Sequence, residues 1–197
     1  YLKWIEGFDD NNGKLLDDFI NKNKINKRQN IPNNTTLLGV DLPTCFGEYS
    51  QKKIIFVGID PVRNEEEFKK INAKIDNDVI IGTPYALHKK IFREKRCAAY
   101  WEIIKKLQVH SFIYVTDIYK TFFKKDNKKS YDYLNEKGNN EIKKSHIEIF
   151  LNEINIIKPS LIVTFGSIAY QNIINQNINV PILPLMHLSP STRGRHL

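Results

Sequence analysis

The chain has 197 residues and a mass of 23.0 kDa, one domain's worth of material or two at most. No apolar run approaches the roughly 18 residues of a membrane span, and two cysteines, Cys45 and Cys97, are too few for a disulfide framework, an iron–sulfur cluster or a structural zinc. The net charge of +8 and a pI of about 9.3 fit a polyanionic partner, although 24 Lys against 6 Arg, with 28 Ile and 21 Asn, is also what an A/T-rich genome would encode.

The charge is local: residues 1–50 sum to −1, residues 51–150 to +7 and residues 151–197 to +2, which puts a nucleic-acid face in the middle of the chain. The chain opens at Tyr1, pointing to a trimmed N-terminus, and no secretory signal opens it. A reducing setting is expected, cytoplasmic, or nuclear if the source is eukaryotic.

In chain order, residues 1–50 hold one candidate helix near Leu15–Ile20 and a polar stretch from Asn21 to Thr36, expected as a loop. They read as a helical and loop extension packed on a domain of residues 51–197. That domain opens with a β-branched and aromatic run, Lys53–Ile59. Phe68, Ile71 and Ile75 then share one helical face, and Tyr100, Ile103, Ile104 and Leu107 another. A second strand is expected at Ser111–Thr116, followed by a polar insertion from Lys124 to Asn140. The longest helical stripe runs Ile142, His146, Ile147, Phe150, Ile154, Ile157, and Pro159 ends it. A third strand at Leu161–Phe165, a short helix at Ser167–Ile174 and a fourth strand at Pro181–Met186 complete the pattern. None of the four strands alternates polar with apolar, so each is expected to be buried on both faces. The order predicts a three-layer α/β/α sandwich with a central four-stranded parallel sheet and right-handed crossovers.

Open parallel sheets bind ligands beyond the carboxyl ends of their strands. The residues there are Gly58-Ile59-Asp60-Pro61, Thr116-Asp117-Ile118-Tyr119-Lys120, Phe165-Gly166-Ser167 and His187-Leu188-Ser189-Pro190-Ser191. Polar, ionisable and Gly/Pro residues therefore gather at one edge, as a site requires and as ordinary loops also do. His88, His110, His146 and His196 read as structural or solvated. No His pair has metal-ligand spacing, and neither a metal nor a cofactor is expected.

These motifs resemble the uracil-DNA glycosylase superfamily. Gly58-Ile59-Asp60-Pro61 is similar to the family's G-Q-D-P, and His187-Leu188-Ser189-Pro190 to its H-P-S-P. Tyr114 to Lys120 resembles the strand that carries the base-reading Asn, and Ile157 to Gly166 the third strand with its entry turn. The resemblance covers roughly residues 50–195. It implies a monofunctional DNA glycosylase that hydrolyses the N-glycosidic bond of uracil or another modified or damaged base, acting as a monomer on DNA with an extruded base, away from membranes.

Under that resemblance, Asp60 orients or deprotonates the attacking water, and His187 donates to the oxygen that gains charge as the base leaves. Ile59, Val62, Tyr85 and Asp117 line the base, with Tyr85 as its stacking platform. Ser167, Ser189, Ser191, Arg193, Lys120 and Lys124 face DNA. Lys120, Lys124, Lys125, Lys128 and Lys129 also interleave with Tyr119, Phe122 and Phe123, as a DNA-facing edge would. Ordinary readings stand beside these: Asp60 as a turn or helix cap before Pro61, His187 as a loop histidine, Tyr85 as packing, and the lysines as a solvated loop whose aromatics are in the core.

The chain departs from the family at several positions. Val62 and Arg63 stand where the uracil-specific branch has Tyr and His, leaving room at the pyrimidine's fifth carbon. Asp117 stands where the Asn is expected, and an ionised carboxylate only accepts hydrogen bonds, which suits a base with an exocyclic amine. Leu188 replaces a Pro, and Ser191 replaces the wedge Leu, with Arg193 as a substitute. The competing functions are a non-catalytic DNA-binding protein on the same fold, an α/β domain for a nucleotide or other small molecule, and a structural partner-binding domain.

Overall fold

A computed structural model of the protein describes residues 36–41, 43–60, 80–82, 94–95, 97–124 and 139–188, with the backbone alone for 36–40, 80–82, 123 and 124. The expected helix near Leu15–Ile20 and the face of Phe68, Ile71 and Ile75 lie outside these residues.

Eight strands and three helices occur among the described residues: β1 Thr36–Asp41, β2 Thr44–Phe46, β3 Lys52–Gly58, β4 Ile80–Gly82, α1 Ala98–Leu107, β5 Ser111–Asp117, β6 Thr121–Lys124, α2 Asn140–Ile157, β7 Leu161–Phe165, α3 Ser167–Ile173 and β8 Ile182–Leu185. The four expected strands are β3, β5, β7 and β8. They form a parallel sheet in the order β5-β3-β7-β8, and β2 adds an antiparallel edge beside β5. A second sheet, β4-β1-β6, had no counterpart in the sequence pattern. Both β1 and β2 precede residue 51, and Thr36, expected as loop, opens β1.

Ile54, Ile55, Phe56 and Val57 are buried in succession, which is why β3 shows no alternation. Period two sends Ile55, Val57, Phe112 and Ile162 to one face of the sheet, where α2 and α3 cover them with Ile147, Phe150, Ile154, Ile157, Ala169 and Ile173. Ile54, Phe56, Ile113, Val115, Val163 and Phe165 go to the other face, under Tyr100 and Ile104 of α1. Gly47, φ 79°, closes the turn after β2 against backbone: a Cβ there would meet the carbonyl oxygens of Ser111 and Gln108, the latter at 2.8 Å. No helix among the described residues is long and apolar enough to cross a membrane.

The stripe that marks α2 in the sequence is the buried face of that helix, and the helix stops as Pro159 demands. Lys158 takes the left-handed conformation, φ 53° and ψ 61°, and its amide donates to the Ile154 carbonyl at 2.8 Å. A side chain in that conformation costs roughly 1–2 kcal/mol. Lys158→Gly is therefore expected to stabilise the protein by about 0.5–1 kcal/mol, after the added flexibility of the unfolded chain is set against the relieved strain. A rise in the urea unfolding midpoint with an unchanged m-value checks this.

Candidate active site

Three registers align the carboxyl ends of the parallel strands: Gly58 with Asp117, Val57 with Thr164, and Phe165 with Leu185. The residues just beyond them follow one another along one edge, Asp117 first, then Ile59 and Asp60, then Gly166 and Ser167, then His187. Asp60 and His187 leave strands with β7 between them, two strand spacings or roughly 10 Å. That gap suits two groups acting on opposite sides of a substrate.

Asp60 is buried, at 8% exposure, and Ile59 is half-buried against the α2/α3 core. The turn after β5 is strapped over the end of β3: the Ile118 amide donates to the Gly58 carbonyl at 3.0 Å and the Tyr119 amide to the Ile59 carbonyl at 2.9 Å. Tyr119 is fully buried, and its hydroxyl donates to Asn172 Oδ1 of α3 at 2.8 Å. Burial first, and then the negative charge of Asp60, push the Tyr119 phenol above its usual range, so it stays a neutral donor.

His187 is half-buried, and two elements hold its loop. Its ring meets the Tyr100 ring edge-on, with centroids 5.8 Å apart, and the next amide, Leu188, donates to the Tyr100 hydroxyl oxygen at 2.8 Å. On the other side lies Gly166, whose amide donates to the Leu185 carbonyl at 2.8 Å. Gly166 has φ 95° and ψ 150°, a region essentially restricted to glycine. A Cβ there would stand 3.7 Å from His187 Cβ, an ordinary contact, so backbone conformation rather than crowding requires the glycine. Ser167 is exposed at the start of α3.

Lys120 corrects the expectation of a DNA contact. It is 7% exposed, and Nζ donates to Thr116 Oγ1, to the Asp117 carbonyl at 2.5 Å and to Glu153 Oε2 at 2.7 Å, with Asp41 Oδ2 at 3.8 Å. Its three protons are directed inward, and none is left for a phosphate. Tyr119 and Phe122 are likewise core residues, as the ordinary reading of the basic–aromatic run had it. The side chain of Lys124 lies outside the described residues, as do Val62, Tyr85, Ser189, Ser191, Arg193, Lys125, Lys128 and Lys129.

Sequence reasoning missed Asp41, Tyr100 as a loop anchor, and Glu153. Tyr100 was visible only as one apolar position of a helix, and its partner is 88 residues away. Around the same cluster, the Tyr114 phenol is pushed above its usual range by burial first and by the Glu153 charge next. Burial pushes the neighbouring Cys45 thiol up to about 11, which leaves it unreactive. No group of three or more His, Cys, Asp or Glu among the described residues is arranged to hold a metal ion.

Residues 46–197 match the Uracil DNA glycosylase superfamily. The match spans most of the chain and includes the whole parallel sheet with both end motifs, so the protein belongs to that superfamily. Membership carries a DNA glycosylase type of function in general terms, with DNA as the partner. No curated protein matches the chain.

His146, expected to be structural or solvated, is 7% exposed; Nδ1 accepts from the Lys120 amide at 3.3 Å and Nε2 meets Thr121 Oγ1 at 3.1 Å. An accepting Nδ1 assigns the proton to Nε2. Burial first, and the Lys120 charge second, lower its pKa to about 4 from an ordinary 6.5. The unfolded chain thus binds a proton that the folded one refuses, so stability is full above pH 6.5 and falls as pH drops towards 4, by up to about 3 kcal/mol. His146→Gln is expected to flatten this part of the acid limb, read as urea midpoints between pH 7 and 4.5. Separately, Gly166→Ala is expected to lower stability by roughly 1–3 kcal/mol through backbone strain, measured by the same titration at pH 7.

Proposed function

We propose that the protein is a monofunctional DNA glycosylase that hydrolyses the N-glycosidic bond of uracil or another modified base. The observation that carries this reading is the placement of Asp60 and His187 beyond the ends of β3 and β8, on the same edge of one parallel sheet with β7 between them, inside the segment that matches the superfamily.

The chemistry needs an extruded base, a positioned water and a stabilised leaving group. As the bond between C1′ and the base nitrogen breaks, its electron pair stays with the base, and positive charge develops on the sugar. Asp60, itself buried, opposes that charge and holds the water whose oxygen bonds to C1′, and the water's proton passes to the carboxylate or to solvent. His187 donates a hydrogen bond to the base oxygen that becomes negative. A donor aimed at charge formed only in the transition state contributes about 3–4 kcal/mol. The base leaves as an anion and takes its proton from solvent. Asp117 faces the base as an acceptor, which favours a base carrying an exocyclic amine over uracil. Val62 in place of a bulky aromatic admits a substituent at the fifth carbon.

Oligonucleotides with one uracil, 5-substituted uracil, hypoxanthine or modified cytosine, treated with alkali after incubation, report base release as strand scission. Scission by the wild type is expected with at least one of these bases. His187→Ala is expected to slow it about 100- to 1000-fold, and Asp60→Asn at least about 100-fold. Equal rates for wild type and His187→Ala would sink the mechanism. Salt-sensitive binding without any base release would identify a non-catalytic DNA-binding protein instead.

A further inference from the structure

Asp117 is held through its own backbone by a residue outside the superfamily match. The ladder between β2 and β5 ends at Thr44 and Val115. Amides two residues apart point to the same strand edge, so the Asp117 amide points where β2 has already stopped. The Asp41 carboxylate takes that place: Oδ2 accepts from the Asp117 amide at 3.0 Å and from Thr116 Oγ1 at 3.1 Å. The Asp41 amide donates to the Lys120 carbonyl at 2.8 Å, and Lys120 Nζ returns to the Asp117 carbonyl at 2.5 Å. Both polar groups of the Asp117 backbone are thereby fixed by charged side chains. Asp41, Thr116 and Asp117 are 4%, 0% and 2% exposed, so water does not compete for these bonds.

Asp41 closes β1, before the first residue of the superfamily match at 46. A strand for β1 alone would be satisfied by its ladders with β4 and β6. The carboxylate reaches past them into the end of β5, where the proposed base-reading residue sits. Any tilt of the Thr116–Asp117 peptide carries the Asp117 carboxylate with it, and an error of about 1 Å in a recognition group is worth up to about 100-fold in rate.

We propose that Asp41 is a positioning residue for base recognition, setting the orientation of Asp117 and through it the preference among bases. This rests on the reading of Asp117 as the group that faces the base.

The test compares wild type, Asp41→Ala, Asp41→Asn and Asp41→Glu in two measurements. The first is hydrogen exchange of the Asp117 amide by NMR. The second is the ratio of release rates for an amine-bearing pyrimidine and for uracil in the same oligonucleotide. Asp41→Ala is expected to speed exchange at Asp117 at least about tenfold, with protection kept in β3 and β7, and to lower the ratio about tenfold. Asp41→Asn still offers an oxygen to the amide and is expected to hold the ratio within about threefold. Asp41→Glu keeps the charge but displaces the acceptor by one methylene, and the ratio is expected to fall about tenfold even if the Ala variant does not fold. A purely structural role would slow the release of every base alike, and an unchanged ratio in both Ala and Glu variants overturns the proposal. If the wild type releases no base, the glycosylase reading falls by itself. The amide measurement then decides: unaltered exchange at Asp117 in Asp41→Ala overturns the positioning role, and acceleration confined to residues 116–118 supports it.

Discussion

The buried ammonium of Lys120 ties together parts of the chain that otherwise share no element. Its carboxylate partners come from β1, through Asp41, and from α2, through Glu153, while its remaining bonds hold the end of β5. A buried ion pair adds little net stability relative to well-packed apolar side chains, yet removing one member strands the other, at a cost of about 3–5 kcal/mol. The cluster therefore acts as a constraint on geometry more than as a source of stability. With it in place, the outer helix, the small sheet and the main sheet share one origin at the carboxyl end of β5.

That placement matters because the main sheet is apolar on both faces. Its strand bodies hold a contact-rich core from Ile55 to Phe165, so polar chemistry is confined to the ends. Two of those ends are stiffened by aromatic residues whose hydroxyls reach across layers. Tyr119 bonds Asn172 on α3, near Asp60, and Tyr100 receives the Leu188 amide beside His187. The same rings that fill the core thus also hold the turn after β5 and the start of the loop after β8.

Strands β3, β5 and β7, with α1, α2 and α3, were legible because each is apolar and bounded by turn residues, and burial of the three strands on both faces leaves continuous runs in the sequence. Strand β8, expected to be buried likewise, is instead an edge strand with Leu183 and Leu185 exposed, and its apolar run alone did not distinguish the two. The small sheet was not legible. Thr36–Asp41 sits beside an Asn- and Lys-rich stretch, and Ile80–Gly82 spans three residues, too few for any period to show. Lys120 was misread for a related reason. A lysine after a strand looks the same whether it meets phosphate or carboxylate, and its partners Glu153 and Asp41 lie 33 residues downstream and 79 upstream. Only long-range pairing distinguishes a solvated basic edge from a buried ionic cluster.

The strand-end positions fared differently, because topology constrains them strongly. Parallel registers that bring Gly58 beside Asp117, and Phe165 beside Leu185, leave the residues after those strands no other edge to occupy. Nothing in the apolar runs states which carboxylate at that edge supports the backbone of the other. Asp41 and Asp117 are both buried acids at the ends of strands, and one holds the amide of the other. A carboxylate that accepts from a neighbour's backbone has its geometry set by the fold. The backbone of the residue so held is placed by the same bonds, so the end of β5 is oriented by groups from β1 and from the turn that follows it.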